Sequence, residues 1–118
     1  MSKAYELGLY EKAMPGTLTW KERLEAAKAA GYDYVEISID ATEEKIARLD
    51  MDRESRLELV KTMYETGIPI RTMCVSALTK YAIGSSDEAC CARGMAILEK
   101  SLQLADDPVS YTHLTLPT

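Results

Sequence analysis

The sequence is poor in the residues that build metal, disulfide and nucleic-acid sites. It has one histidine, His113, and three cysteines, Cys74, Cys90 and Cys91. An odd cysteine count with an adjacent pair makes a poor disulfide framework, so a reducing cytoplasm is the expected compartment. No second Cys or His pair stands at ligand spacing, which argues against zinc. Basic charge is also short: 14 Lys and Arg face 19 Asp and Glu, a net charge of −5. That balance argues against nucleic acid or an anionic membrane surface as partner. No apolar run approaches the length of a membrane span. Met1 to Tyr5 leads straight towards a strand, with no signal-peptide core. Walker loop, dinucleotide fingerprint and helical His pair are all missing.

What is present is an alternation of strands and helices. At 118 residues, 47% of them apolar, the chain suits one small domain. Tyr5 to Tyr10 alternates and reads as a first strand, closed by the charges of Glu11 and Lys12. Pro15-Gly16 marks a turn. Thr19 and Glu22 have capping-box spacing, so a helix is expected from Thr19, with Trp20, Leu24, Ala27 and Ala30 on one side. Gly31 ends it. Tyr34 to Ile39 is the second strand, with Val35, Ile37 and Ile39 on one face and Tyr34, Glu36 and Ser38 on the other. Thr42 to Leu49 suits one or two helical turns. Asp52 opens a helix with Leu57, Val60 and Tyr64 as its stripe, closed by Gly67. Pro69 to Ser76 is a third strand with weaker alternation, where Arg71 is placed to sit at a bottom rim or pair with an acid. Ala77 to Ser85 reads as a loop. Ser86-Asp87-Glu88 then starts a helix whose expected buried side is Met95, Leu98, Leu102 and Ala105.

This order implies parallel strands joined by right-handed crossovers. The fold class is α/β: the first three βα units of a (β/α)₈ TIM barrel, incomplete. A doubly wound sheet fits the alternation alone equally well.

Barrel sites are built at the carboxyl ends of strands. The substrate-binding candidates are therefore Tyr10, Glu11 and Lys12 after the first strand, Glu36 and Ser38 on the second, and Ser76 and Lys80 after the third. Lys12 can meet a phosphate as a point charge. Glu36 is a carboxylate within an apolar strand, which must be paired or used; Lys12 and Arg71 are the candidate partners. Asp40 suits either the site or a cap on the turn at Thr42. Cys90 and Cys91 point about 100° apart on a helix and suit packing.

The tail breaks the pattern. Where a fourth strand is due, Val109-Ser110-Tyr111-Thr112-His113-Leu114-Thr115-Leu116-Pro117-Thr118 resembles the translation of a transposase mosaic-end sequencing adapter. The expected division is residues 1–107 as barrel and 108–118 as adapter translation. His113 falls in that tail and is not nominated as a catalytic base.

The blocks Leu7-Gly8-Leu9-Tyr10-Glu11-Lys12-Ala13-Met14-Pro15, Trp20-Lys21-Glu22-Arg23-Leu24, Gly31 to Asp40, Arg48-Leu49-Asp50, Glu65-Thr66-Gly67, Met73 to Ala77 and Ile83-Gly84-Ser85 together resemble one family. It is the L-ribulose-5-phosphate 3-epimerase (L-xylulose-5-phosphate 3-epimerase) group of xylose-isomerase-like barrels, and the resemblance covers Ala4 to Asp107. It implies a bacterial cytoplasmic enzyme of pentose or ascorbate catabolism that inverts C3 of a ketopentose 5-phosphate through an enediolate. It also implies a divalent metal ion in the intact enzyme, with the metal ligands and acid–base carboxylates on later strands. By the same resemblance, residues 1–107 hold no catalytic residue and no metal ligand. The partner is then a small sugar phosphate, and a homo-oligomer remains open. The run Ser76 to Ala82 departs from the family pattern. His, Arg and Pro are replaced there, while Lys80 and Tyr81 are kept, which leaves the specificity within the family open. Other readings are a different xylose-isomerase-like isomerase, an endonuclease-like barrel, or a complete small α/β binding domain without catalysis.

Overall fold

The computed structural model describes residues 4–106 and the backbone of residues 113–115. Strands β1 (Gly8–Tyr10), β2 (Tyr34–Ser38), β3 (Ile70–Cys74) and β4 (His113–Thr115) form one sheet in the order β1-β2-β3-β4. All neighbours are parallel. The helices are α1 (Trp20–Ala29), α2 (Glu43–Ile46), α3 (Arg53–Thr66), α4 (Ala77–Lys80) and α5 (Glu88–Ala105). The first three βα units thus stand in the expected order. Strand β4 adds to the β3 edge by main-chain bonds, which any extended segment can supply. Apart from that backbone, the expected adapter stretch lies outside the described residues.

Local chemistry sets the helix ends. The Thr19 hydroxyl accepts from the Glu22 amide at 3.2 Å, and the Glu22 carboxylate accepts from the Thr19 amide at 2.9 Å. Asp52 caps α3 by accepting from Ser55 N at 2.8 Å, and Asp87 caps α5 by accepting from Ala89 N at 3.0 Å. Gly67 closes α3 in the left-handed region at φ 76°, where other residues are strained.

Val35, Ile37, Ile39, Met73 and Val75 pack with Leu24, Ala27, Ile97 and Leu104 in one buried cluster. Apart from Ala27, each such side chain contributes about 1.5–3 kcal/mol on full burial. The weak alternation of β3 has a cause. The β2–β3 register shifts between Val35 and Glu36, from Val35↔Ile70 to Glu36↔Thr72. Arg71 is therefore skipped, and its guanidinium ion-pairs with Glu6 and lies over the Tyr34 ring. The expectation of an acid partner for Arg71 holds.

Two expected stripes hold only in part. On α3, Leu57 and Tyr64 are exposed, Val60 is half-buried, and Leu59 and Met63 pack on the core. On α5, Met95 and Leu102 are half exposed, Leu98 and Ala105 are half-buried, and Gly94, Ile97, Ser101 and Leu104 are buried. Both α5 stripes have helical spacing, so periodicity cannot choose between them. The small residues decide. A Cβ on Gly94 would lie 2.2 Å from the Tyr81 carbonyl oxygen, so only glycine lets α5 approach so closely. Two further elements differ: β1 is shorter than expected, and the loop after β3 contains the short helix α4.

Candidate functional site at the carboxyl ends of the strands

The face of β2 opposite the core carries Glu36 and Ser38 towards the ends of β1 and β3. Tyr10 is level with Glu36 in the ladder, yet its hydroxyl reaches one layer further and donates to Ser38 Oγ at 3.2 Å. Burial raises the Tyr10 pKa, and the neighbouring Cys74 thiol adds to this, against the lowering influence of Ser38 and Lys12. The phenol is thus kept protonated. One layer below, Thr72 Oγ1 donates to Glu36 Oε2 at 2.7 Å.

Beyond the strand ends, Lys12 Nζ lies 2.6 Å from Asp40 Oδ2, and Ser76 Oγ donates to Asp40 Oδ1 at 3.0 Å. The ammonium of Lys12, then the Ala41 amide and Ser76, hold the Asp40 carboxyl at about 2. Asp40 raises Lys12 in return. The structure thus joins Tyr10 to Ser38, and Lys12 to Ser76 through Asp40. It corrects one expectation: Lys12 and Arg71 turn to Asp40 and Glu6 rather than to Glu36. Asp40, expected either in the site or at the turn before Thr42, serves both: it holds Lys12 and Ser76 and accepts from the Ala41 amide at 2.9 Å, while the Thr42 hydroxyl caps α2, accepting from Lys45 N at 3.2 Å. Lys80 stands apart, exposed on α4 with its ammonium 5.3 Å from the Tyr81 ring centroid.

Glu11 faces away from this group. It begins a 3-10 turn, Glu11–Ala13, and is buried. Its Oε1 accepts from the Ser38 amide at 2.7 Å and from Arg48 at 2.5 Å. Its Oε2 accepts from Arg48 at 2.8 Å and Lys45 at 2.9 Å, with Arg23 at 3.6 Å. Burial raises the Glu11 pKa; Arg48, the Ser38 amide and Lys45 reverse this, and the net shift is downward. Trp20 lies beneath both guanidinium groups, with Arg23 at 4.9 Å and Arg48 at 5.2 Å from its ring centroid. Sequence reasoning missed Arg23, Lys45 and Arg48. The one signal was a carboxylate directly after an apolar strand, which must find partners when buried.

No three His, Cys, Asp or Glu side chains converge on a metal position among the described residues. Asp40 already holds an ammonium, and Glu36 a hydroxyl. These residues do not fit a divalent ion, which needs several free oxygen or nitrogen donors. Nor is any helix among the described residues long and apolar enough to cross a membrane.

Comparison with known proteins agrees with this geometry. The family model described as xylose isomerase-like TIM barrel matches residues 24–116. L-ribulose-5-phosphate 3-epimerase UlaE of Escherichia coli O139:H28 is 47% identical over 107 residues, covering 91% of this chain and 38% of that protein. The proteins of the same name from Escherichia coli O157:H7 and Shigella boydii serotype 18 share the same identity and coverage. The chain spans 38% of the length of these curated relatives. With parallel βα units and polar groups gathered at the strand ends, the chain belongs to the xylose isomerase-like TIM barrel family.

Proposed function

We propose that the chain is the amino-terminal part of a sugar-phosphate 3-epimerase acting on a ketopentose 5-phosphate, and that residues 108–118 are adapter-derived. The observation that carries this reading is the 47% identity over 107 residues to L-ribulose-5-phosphate 3-epimerases. The geometry is compatible with it. Tyr10, held by the buried Ser38 hydroxyl, offers a phenol to a polyol, and Lys12 offers a cation on the same rim. Epimerisation at C3 removes a proton α to the C2 carbonyl, which needs a base on each face and stabilisation of an enediolate. In this reading the described residues bind and orient the substrate. Metal ligands and acid–base carboxylates then belong to later strands of the whole enzyme, in a cytoplasmic setting.

The test begins with the coding DNA downstream of codon 107. A continuing frame that encodes further strands ending in Glu, Asp and His supports the reading; a natural stop codon sinks it. The full-length product is then assayed for C3 inversion of L-xylulose 5-phosphate with added divalent metal. The 118-residue chain is expected to show no turnover in the same assay, and measurable turnover would refute that part.

A further inference from the structure

Strand β1 ends one layer too early. Its ladder with β2 stops at Tyr10↔Glu36, because the chain turns into the 3-10 segment at Glu11. Ser38 therefore has no β1 backbone beside it, although it is fully buried. Buried main-chain groups must be bonded. Side chains do this here. Glu11 Oε1 accepts from Ser38 N at 2.7 Å, and Arg48 Nη1 donates to Ser38 O at 2.9 Å. The same Arg48 atom also donates to Glu11 Oε1 at 2.5 Å. A carboxylate and a guanidinium thus stand where β1 would have continued. The turn that ends β1 also places Lys12 against Asp40.

We propose that the Glu11–Arg48 pair is a positioning device for the barrel mouth: it replaces the missing stretch of β1 and fixes the buried Ser38 hydroxyl as the acceptor that orients the half-buried Tyr10 hydroxyl for a hydroxyl-bearing ligand. The ligand part rests on the sugar-phosphate reading above; the positioning part rests on geometry alone. Three chain segments meet in this device: Tyr10 to Lys12, Trp20 to Arg23 and Arg48 to Asp50. The resemblance had picked out all three separately. The Trp20 ring backs the cluster beneath the guanidinium groups of Arg23 and Arg48, and so supports the Arg48 orientation that reaches both Glu11 and Ser38.

The test uses the 118-residue chain and amide hydrogen exchange by NMR. In the wild type, the Ser38 amide is expected to be protected with those of Val35 and Ile37. Arg48→Lys keeps the charge and loses the fork. It should speed exchange at Ser38 by about tenfold or more, with Val35 and Ile37 unchanged. It should also shift the Tyr10 ring resonances. Ser38→Ala should shift the Tyr10 resonances alike while the amide at position 38 keeps its protection. An unprotected Ser38 amide in the wild type overturns the proposal. So does an Arg48→Lys variant that leaves Ser38 and Tyr10 unmoved, or that loosens or unfolds all of β2, since the pair would then serve the fold in general. Titrating L-xylulose 5-phosphate, with divalent metal, into the full-length enzyme and its Tyr10→Phe variant separates the two ideas. Without binding, or with equal binding by both, the ligand part falls and the Ser38–Tyr10 response still judges the positioning.

Discussion

Replacing Glu11 by Gln removes one negative charge and almost no volume. Three cations converge on that carboxylate, with side-chain exposures of 7% for Arg23, 20% for Lys45 and 14% for Arg48. The countercharge they share would vanish while they stay largely out of water. Removing one partner of a buried pair costs about 3–5 kcal/mol, against about 0–1 kcal/mol for an exposed pair. A complete domain has a total stability of about 5–15 kcal/mol, and part of a barrel no more, so the loss is a large share of it. Urea denaturation followed by Trp20 fluorescence is a suitable assay, because Trp20 lies beneath two of the affected guanidinium groups. With a slope of about 1–3 kcal/mol per molar urea, a loss of about 4 kcal/mol moves the midpoint by roughly 2 M. The pH dependence gives a second reading. The folded pKa of Glu11 lies below its ordinary 4.5. Its stabilisation is therefore complete above the unfolded pKa and is lost as pH falls through the folded pKa. Glu11→Gln should lack this acid-side loss, so the difference between the two proteins shrinks below about pH 4.5. A stability change under about 1 kcal/mol at pH 7 would refute the reasoning and place the cluster with surface pairs.

Three further outcomes are expected. Gly94→Ala sets a methyl 2.2 Å from the Tyr81 carbonyl oxygen, so α5 must move and stability should fall by at least the ~1–3 kcal/mol typical of overpacking, read by thermal melting. Gly8→Ala meets the Tyr34 ring at 2.4 Å; a side chain can yield more than backbone, so the loss by the same melt should be smaller than at Gly94. Lys12→Ala removes the main cause of the depressed Asp40 carboxyl, which should rise from about 2 towards 3.8 in a carboxyl-carbon NMR titration; stability should change by less than about 1 kcal/mol, since Lys12 is 40% exposed.

Much of the fold was legible because it depends on neighbours in the chain. Thr19 with Glu22 and Asp52 with Ser55 are contacts across three residues, so their pattern is written locally; at α5 the start was legible but the cap is Asp87, one residue after the expected Ser86 hydroxyl. The alternation of Val35, Ile37 and Ile39 likewise foretold which face of β2 is buried. The site was legible in position and not in pairing. Tyr10, Ser38, Lys12 and Ser76 do gather at the strand ends, but the joining of Lys12 to Ser76 through Asp40 went unforeseen, and Lys80 stands apart.

By itself, then, the sequence determined the element order, the caps, the parallel βα alternation and the family resemblance. These follow from short-range sterics, hydrogen bonding and period. Only the tertiary structure decided which apolar stripe of α5 is buried, because that choice depends on how closely Gly94 lets the helix approach Tyr81. It also decided the partners of Glu11. They lie 27, 34 and 37 residues away at Ser38, Lys45 and Arg48, and meet it only because β1 turns aside where β2 goes on. A buried charge says that partners must exist; the packing of distant segments says which.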